Sequence, residues 1–323
     1  MEQNLSAARA AELLMQKDNI TLLCHRHPDG DTIGCAFALY YALQFLGKEV
    51  RVLCGDPLPE KYACLYGDYT PGRVLDWPVE FVIAVDVASE EQLGTLEEKY
   101  RGMIDLCIDH HPSNTDYAAL SCIRGDYAAC AELVAEIITA IGIPIEGKIA
   151  ECLYTGIVTD TGCFKFSNTT AGTLELAATI KRSGTDTARI NTRIFESKSR
   201  QKVQAEAKLL SALEFYCGDR VAVMPITLAV RQETGVSMED LEDVAGIPRQ
   251  IEGVLVGVTL KEHEAECRIS LRTRDTVDAA AIAAAFGGGG HRAAAGCTIR
   301  EPLEKAKAMI LAEIEKHLPE DIG

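Results

Sequence analysis

The chain has 323 residues, 47% of them hydrophobic, which is enough to bury a substantial core and predicts two domains. Its formal net charge of −16 disfavours a broad groove for a long phosphate backbone, although a small anion held locally by a few arginines is compatible with it. The 12 cysteines form no Cys-x-x-Cys pair, and no segment has the character of a signal peptide or a membrane span, so we expect a cytoplasmic protein with reduced thiols and no membrane partner.

The first two-thirds of the chain alternate strand-like and helix-like segments. Strands are predicted for the apolar runs 20–24, 50–54, 81–85 and 103–108. Helices are predicted for the segments 32–46, 131–141, 148–159 and 170–182. This alternation is typical of an α/β domain with a doubly wound, mainly parallel sheet.

The last third of the chain has a different pattern. The polar segment 185–213 is interpreted as a helical connector, and beyond it we expect strands within 215–226, a helix at 238–244, a hairpin of 254–261 with 266–273, and helices at 279–286 and 301–317. This order is typical of a smaller α+β domain. The predicted boundaries are 1–190 for the first domain, 191–213 for the helical connector and 214–323 for the second domain.

Side chains that could bind a metal follow the apolar segments of the first domain. The carboxyl ends of neighbouring parallel strands meet at one crevice, where ligands bind. A cluster of carboxylates and imidazoles there favours one or two divalent cations. The residues concerned are His25, Asp29, Asp31, Asp86, Asp109, His110, His111 and Asp160.

Each of these residues also has a simpler structural interpretation. Pro-Asp-Gly at 28–30 is ordinary turn chemistry, and an Asp after a strand, such as Asp86, is more often a helix N-cap. Asp160 could be a turn residue, and the two histidines could be structural. Their combination favours a site, because Asp86 has two oxygens that could bridge two cations, and Asp109 could orient an imidazole by accepting its second N–H.

The second domain carries a glycine run that ends in a histidine, Gly287-Gly-Gly-Gly-His291. Glycines let backbone N–H groups approach a phosphate, and a helix beginning after them would favour an anion. A flexible linker is the alternative. Ser270 and Arg272 share one face of a predicted strand and could contact the same anion, whereas a solvent-facing arginine is the simpler interpretation.

Taken in order, these motifs resemble those of the DHH phosphoesterase superfamily, named for the triplet found here at 109–111. The resemblance spans nearly the whole chain, since the segment 287–296 resembles the Gly-Gly-Gly-His motif of the DHH-associated C-terminal domain. The sequence Thr155-Gly-Ile-Val-Thr-Asp-Thr-Gly162, followed by Phe164-Lys-Phe-Ser, is most similar to the nanoRNase/pAp phosphatase branch. Cys35 stands where many relatives have a small serine, and we expect no catalytic consequence.

The resemblance implies a binuclear site, usually with Mn²⁺. His25 and Asp29 would hold one cation, Asp86 would bridge, and the other cation would be held by Asp31, His110 and Asp160. His111 would contact the scissile phosphate and help to protonate the leaving oxygen, with Asp109 beside it. The nucleotide or its terminal phosphate would be held across the interdomain cleft by Ser270, Arg272, Gly289, Gly290 and His291.

The function implied by the resemblance is that of a Mn²⁺-dependent phosphoesterase. It would degrade RNA of about two to five nucleotides and could convert 3′-phosphoadenosine 5′-phosphate (pAp) to AMP. The nearest alternative is a hydrolase of pApA or cyclic di-AMP. Charge and size disfavour a long-strand exonuclease, and the full ligand set disfavours a non-catalytic sensor. The Gly287–His291 motif and the aromatic Phe164 and Phe166 favour a nucleotide over the substrate of a pyrophosphatase. The expected partners are short RNA or small nucleotides and no long nucleic acid, with a homodimer as one candidate assembly.

Overall fold

A computed structural model describes residues 4–67, 69, 79–241, 243–274 and 277–319 of the chain. The polypeptide forms two units that divide between Ser197 and Lys198. This division falls inside the predicted connector 191–213, and the functional domain boundaries stay a prediction. Among the helices of these ranges, none combines the length and apolarity needed to cross a membrane.

The first unit is built on a five-stranded parallel sheet. Its strands are β1 (Ile20–Cys24), β2 (Val50–Cys54), β3 (Phe81–Val85), β4 (Leu106–Asp109) and β5 (Leu120–Ile123), in the order β2-β1-β3-β4-β5. Every neighbouring pair is parallel. Strands β1 and β3 are buried along their whole length, which explains why they are continuous apolar runs rather than alternating ones.

Helices cover both faces of this sheet. They are α1 (Ala7–Gln16), α2 (Gly30–Phe45), α3 (Ala63–Tyr66), α4 (Glu97–Tyr100), α5 (Cys130–Ile141), α6 (Gly147–Asp160), α7 (Ala171–Arg182) and α8 (Thr187–Asn191). The main core lies between the sheet and the α1, α2, α5 and α6 side. A smaller apolar cluster, which includes Leu93 and Tyr100, covers the opposite face. The predicted doubly wound α/β architecture is therefore confirmed.

The strand order locates the crevice of this sheet. The order of the strands reverses between β1 and β3, because β2 is added on one side of β1 and β3 on the other, and in doubly wound sheets ligands bind outside the carboxyl ends of the strands at such a switch point. His25 directly follows β1 and Asp86 directly follows β3. The predicted ligands therefore begin at the position where the topology opens the sheet.

Among its described residues, the second unit contains a six-stranded mixed sheet and four α-helices. The strands are β6 (Glu214–Tyr216), β7 (Val221–Ile226), β8 (Val256–Glu262), β9 (Cys267–Thr273), β10 (Gly289–His291) and β11 (Ala294–Ile299), in the order β10-β11-β9-β8-β7-β6. The helices are α9 (Arg200–Ser211), α10 (Leu228–Thr234), α11 (Ala279–Ala284) and α12 (Leu303–Glu315). Helices α11 and α12 pack against one face of the sheet through residues such as Ile282 and Ile310. The predicted smaller α+β fold is confirmed.

Several predicted elements differ from those observed. The 238–244 helix is wrong, because 3-10 turns at Glu239–Leu241 and Asp243–Gly246 occupy that segment. The connector is not one helix, since α8 passes into a π-helical turn and Ser199 then caps α9. The glycine run leads into the β10–β11 hairpin rather than into a helix. Helix α1 and strand β5 were not predicted at all.

Candidate functional site

Asp86 occupies a central and strained position at the carboxyl end of β3. Its φ of 60° lies in the left-handed region, which non-glycine residues rarely adopt and which is common at functional sites. The side chain is 2% exposed, and its Oδ1 has no hydrogen-bond partner among the described residues. The next helical turn is capped by Ser89 and not by Asp86, so the simple N-cap interpretation does not hold. Buried charges are paired or coordinate metals, so this unpartnered carboxylate oxygen fits a cation site.

The predicted ligands converge on Asp86 from both sides. His25 Nε2 lies 3.8 Å from Asp86 Oδ2, and His110 Nε2 lies 3.5 Å from Asp86 Oδ1. Ligand atoms within 4.8 Å of one another form the groups His25–Asp29–Asp86 and Asp31–His110–Asp160, and a third group joins Asp86 to His110 and His111. The two oxygens of Asp86 therefore face two different ligand groups.

Both innermost imidazoles present Nε2 to this cluster. His25 Nδ1 lies 2.7 Å from the carbonyl oxygen of Arg26, and His110 Nδ1 lies 3.1 Å from that of Tyr127. Because a carbonyl can only accept, Nδ1 carries the hydrogen in each ring, and Nε2 keeps its lone pair. His110 Nε2 is buried without a hydrogen-bond partner among the described residues. This tautomer is the one that binds a metal through Nε2.

Asp31 is held from behind by the first residues of helix α5. Its Oδ2 accepts from the backbone N–H of Cys130 at 2.6 Å, and its Oδ1 accepts from that of Ala131 at 3.1 Å. The Cys35 thiol donates to Oδ1 at 3.3 Å. A Cβ at Gly156 would lie 2.4 Å from this oxygen, so only glycine lets α6 pass so close to Asp31. These contacts fix the carboxylate before any ligand arrives.

Asp29 and Asp160 lie nearer the surface of the cluster. Asp29 Oδ1 accepts from the backbone N–H groups of Asp31 and Thr32, and it therefore caps α2 while lying 3.6 Å from His25 Nε2. Asp160 is the last residue of α6, with Oδ2 3.3 Å from His110 Nε2. Asp29 thus stands at the start of α2 and Asp160 at the end of α6, and these helix ends place both carboxylates in the cluster.

The electrostatics of the cluster fit a bound cation. Burial, and then the charge of Asp160, raise the pKa of Asp31 to about 8, and burial raises the pKa of Asp86 well above its usual range. Burial alone would lower the pKa of His110, but the nearby carboxylate of Asp160 and the negative charge of Asp31 outweigh it and raise that pKa to about 9. The carboxylates of the cluster carry more negative charge than the neighbouring histidines can balance. Divalent cations would supply the missing positive charge.

His111 differs from His110 in its contacts. Its Nδ1 lies 2.7 Å from Oδ1 of the buried Asp109, which fixes the ring orientation. Asp109 is itself held by the Asn114 side-chain amide, which donates to Oδ2 at 2.6 Å. The His111 side chain is 34% exposed, against 12% for His110. His110 thus points into the cluster, whereas His111 lies at its accessible edge.

Four of the five predicted substrate residues of the second unit share one face of its sheet: Ser270, Arg272, Gly289 and His291. Ser270 lies opposite Gly296, which in turn lies opposite Gly289. In the next row, Arg272 lies opposite Ala294, and Ala294 lies opposite His291. Gly290 points the other way, and a Cβ there would lie 2.6 Å from the carbonyl oxygen of Ala294. The small residues between the polar ones leave this face open.

Arg249 is a candidate binding residue that the sequence did not reveal. It lies in a 3-10 turn, Pro248–Gln250, directly over Gly257, where a Cβ would be 2.6 Å from the Arg249 nitrogen. Gly257 is the cross-strand neighbour of Arg272. Burial and the charge of Arg249 both lower the pKa of Arg272. The only signal was a glycine inside a strand, which indicates close backbone approach.

Comparison with known proteins shows that each unit matches a known domain family. Residues 19–157 match the model of the DHH family, N-terminal domain, and residues 218–318 match that of the DHHA1 domain. The chain is 32% identical to a Thermus thermophilus protein named bifunctional oligoribonuclease and PAP phosphatase NrnA, over 93% of this chain and 90% of that relative. The chain belongs to the DHH family.

Other relatives agree with this assignment to the DHH family. A Bacillus subtilis protein of the same name is 26% identical over 91% of this chain and 94% of its own length. The crystal structure of an exopolyphosphatase-related protein from Bacteroides fragilis superposes with a TM-score of 0.88 at 23% identity, covering 96% of this chain and 95% of that one. This likeness shows the fold alone. The resemblance to DHH phosphoesterases that the sequence motifs indicated is confirmed.

Proposed function

We propose that this DHH protein is a Mn²⁺-dependent phosphoesterase that degrades very short RNA to mononucleotides and converts pAp to AMP. The names of the Thermus thermophilus and Bacillus subtilis relatives support this choice of substrates. The site supports the choice of chemistry, since it gathers carboxylates and imidazoles rather than a nucleophilic serine or cysteine. The twelve free cysteines are consistent with action in the cytoplasm, where thiols stay reduced.

The observation that carries the proposal is the position of Asp86 between two ligand groups. His25 and Asp29 would hold one cation, Asp31, His110 and Asp160 would hold the other, and Asp86 would contribute one oxygen to each. The carboxylate oxygens suit Mn²⁺, and the imidazoles add nitrogen ligands that other divalent transition metals also accept. Such cations supply Lewis acidity, which activates water and neutralises the charge that builds on the phosphoryl group. The protein holds their ligands in fixed positions.

His111 and Asp109 have a different role in this proposal. Nδ1 of His111 is paired with the carboxylate of Asp109. Nε2 is therefore the nitrogen that would contact the scissile phosphate or donate a proton to the leaving oxygen. The Asn114 amide keeps Asp109 in place. His111 is therefore proposed to act on the substrate rather than as an obligatory metal ligand.

The second unit is proposed to hold the nucleotide. Ser270, Arg272, Gly289, Gly290 and His291 would bind its phosphate or sugar, with Arg249 adding a second guanidinium. Two neighbouring arginines on an otherwise acidic chain favour a small, highly charged anion over a long strand, because the net charge of −16 repels additional phosphates.

A single comparison of substrates tests this function. The Mn²⁺-loaded protein would be given labelled RNA of about 2 to about 24 nucleotides, with pAp, pApA and cyclic di-AMP alongside. We expect the highest kcat/KM for RNA of about two to five nucleotides, measurable turnover of pAp, and loss of both activities with a chelator.

The same experiment separates the alternatives. Faster turnover of pApA or cyclic di-AMP than of every RNA would move the assignment to a dinucleotide phosphodiesterase. Equal kcat/KM for the shortest and the longest RNA would move it to an exonuclease. Hydrolysis of none of these would leave a non-catalytic nucleotide or metal sensor.

A further inference from the structure

A large aromatic side chain is exposed immediately after the candidate ligand Asp160. Phe166 is 51% exposed, although aromatic rings are usually buried. The outer end of its ring lies against Gly162, where a Cβ would be 2.4–2.7 Å from three ring carbons. Gly162 is only two residues from Asp160, so the exposed ring packs on the backbone that directly follows a candidate metal ligand.

The loop that carries Phe166 is rigid and strained. Gly162, Cys163 and Phe164 have consecutive φ values of 55°, 58° and 64°, and the last two residues are not glycines. The Thr161 carbonyl accepts from the backbone N–H groups of Lys165 and Phe166, at 2.9 and 3.0 Å. Strain of this kind persists only where the surroundings over-determine the backbone, and it is concentrated at functional sites.

The same loop is tied to the end of helix α6. The Asn168 side-chain amide donates to the carbonyl oxygens of Asp160 and Ala128, both at 3.1 Å. The backbone N–H of Thr169 donates to the Phe166 carbonyl at 3.2 Å. The backbone that carries Phe166 is therefore held in place relative to Asp160.

The exposure of Phe166 is not explained by a role in anchoring the loop, because Phe164 has that role. The neighbouring Phe164 is partly buried, joins the main core and packs on Tyr154 with ring centroids 6.3 Å apart. Phe164 thus anchors the loop through apolar contacts. Phe166 keeps about half of its surface in water at a place where a substrate of the proposed reaction would arrive.

We propose that Phe166 is a stacking platform for the nucleobase of the bound nucleotide. This inference rests on the proposed function and adds to it a base subsite within the first unit. A phenyl ring can stack on any base, so the subsite would accept purines and pyrimidines without reading sequence. The subsite would increase the affinity for ligands that carry a base and would not change the affinity for ligands that lack one.

The test compares ligands with and without a base. AMP and ribose 5-phosphate differ only in the adenine, and their equilibrium affinities for the Mn²⁺-loaded protein can be measured by calorimetry. The variants are Phe166→Ala, Phe166→Leu and Phe166→Tyr, with Phe45→Ala as the matched control, because Phe45 is also exposed, at 74%, and lies at the end of α2.

Stacking predicts a specific pattern across these variants. Phe166→Ala and Phe166→Leu should weaken AMP binding by about tenfold to a hundredfold and leave ribose 5-phosphate binding unchanged. Phe166→Tyr and Phe45→Ala should bind both ligands like the wild type. Leucine matters here because it keeps apolar packing over Gly162 but has no flat ring. If the alanine variant unfolds at a lower temperature, the Leu and Tyr variants still decide the question.

Other outcomes would overturn the base subsite. Wild-type affinity for AMP in Phe166→Leu would mean that the ring acts only by packing. Equal loss of AMP and ribose 5-phosphate would mean that it acts through the metal cluster. Failure of the wild type to hydrolyse RNA, together with Phe166-dependent AMP binding, would overturn the proposed substrate and keep the subsite. RNA hydrolysis by a protein that binds AMP and ribose 5-phosphate equally well would keep the proposed substrate and overturn the base subsite.

Discussion

The metal-binding cluster of the first unit and the open sheet face of the second unit use polar residues in opposite ways. In the cluster, Asp31, Asp86 and Asp109 are buried and held by backbone or side-chain donors or by their neighbours. On the sheet face, Ser270 and Arg272 are only half-buried, and His291 is exposed. Few contacts fix those side chains.

This difference indicates how each region contributes to function. Fixing charged groups in advance removes the cost of reorganising them when charge develops in a reaction. A loosely held arginine contributes mainly to binding, and its effect depends on which anion is present. Substitutions in the cluster should therefore reduce turnover of every substrate, whereas substitutions on the sheet face should discriminate between substrates.

Removal of the Asp86 charge should have the largest effect. Asn at position 86 keeps the shape of the side chain and tolerates a positive φ, so Asp86→Asn should fold. We expect kcat to fall on the order of a thousandfold or more for RNA, pAp and bis-p-nitrophenyl phosphate alike, since both ligand groups lose a shared oxygen. Kinetics and metal analysis by mass spectrometry check this. Two tightly bound cations in the variant would contradict the bridging role.

Gly156→Ala should damage the site from behind. The new methyl group would lie 2.4 Å from Asp31 Oδ1 and 2.8 Å from the Ala131 Cβ, so the carboxylate or helix α5 must move. A shift of this kind can reduce kcat by about a hundredfold, and overpacking can cost about 1–3 kcal/mol of stability. Gly172→Ala in α7 is the matched control, because its nearest contact would be an ordinary 3.6 Å. Equal activity of the two variants would contradict the close approach.

His110 and His111 should respond differently despite their adjacency. His110→Ala removes an Nε2 that faces three carboxylates, so metal affinity should fall and excess Mn²⁺ should restore part of the activity. His111→Ala should keep both cations and lose about 10²–10⁴-fold in kcat. Titration of Mn²⁺ against activity separates the two. Equal metal loss in both variants would remove the distinction between their roles.

The ends of the buried strands were the part of the site that the sequence predicted well. Ile20–Cys24 and Phe81–Val85 were recognisable as apolar runs, and the residues that follow them had to meet once the sheet was parallel. What holds those residues was not predictable. Asp31 depends on the N–H groups of Cys130 and Ala131, about 100 positions away, and no local pattern encodes that contact.

The elements and residues that the sequence analysis missed or assigned wrongly have comparable physical causes. Strand β5 has only four residues and partly exposed ends, so its pattern is too short to distinguish from a loop. The glycine run was expected to precede a helix, but its lack of side chains serves close backbone approach at Gly288 and Gly290, where a Cβ would lie 2.2 Å from the Gly296 carbonyl oxygen and 2.6 Å from that of Ala294. Arg249 was missed because its position depends on the space over Gly257, a tertiary feature.

The smallest expected effects are on the open sheet face, and they should depend on the substrate. Arg272→Ala removes a charged donor that is partly desolvated, and we expect kcat/KM on a dinucleotide to fall by about tenfold to a hundredfold. Arg249→Ala should cause a smaller loss, of about threefold to tenfold, because a guanidinium on a surface turn is better solvated. Neither change should affect bis-p-nitrophenyl phosphate, which the cluster alone can bind.

The control for this last prediction is Lys305→Ala, which removes a positive charge from α12, the helix packed against the sheet through Ile310. If the arginines act only through net charge, all three variants should lose equally, and the losses should vanish at high salt. If they hold the nucleotide, Lys305→Ala should retain wild-type kcat/KM, and the ranking of Arg272 above Arg249 should persist. An equal fall in kcat/KM on the dinucleotide and on bis-p-nitrophenyl phosphate would contradict the comparison. It would show that binding does not belong to the sheet face and turnover to the metal-binding cluster.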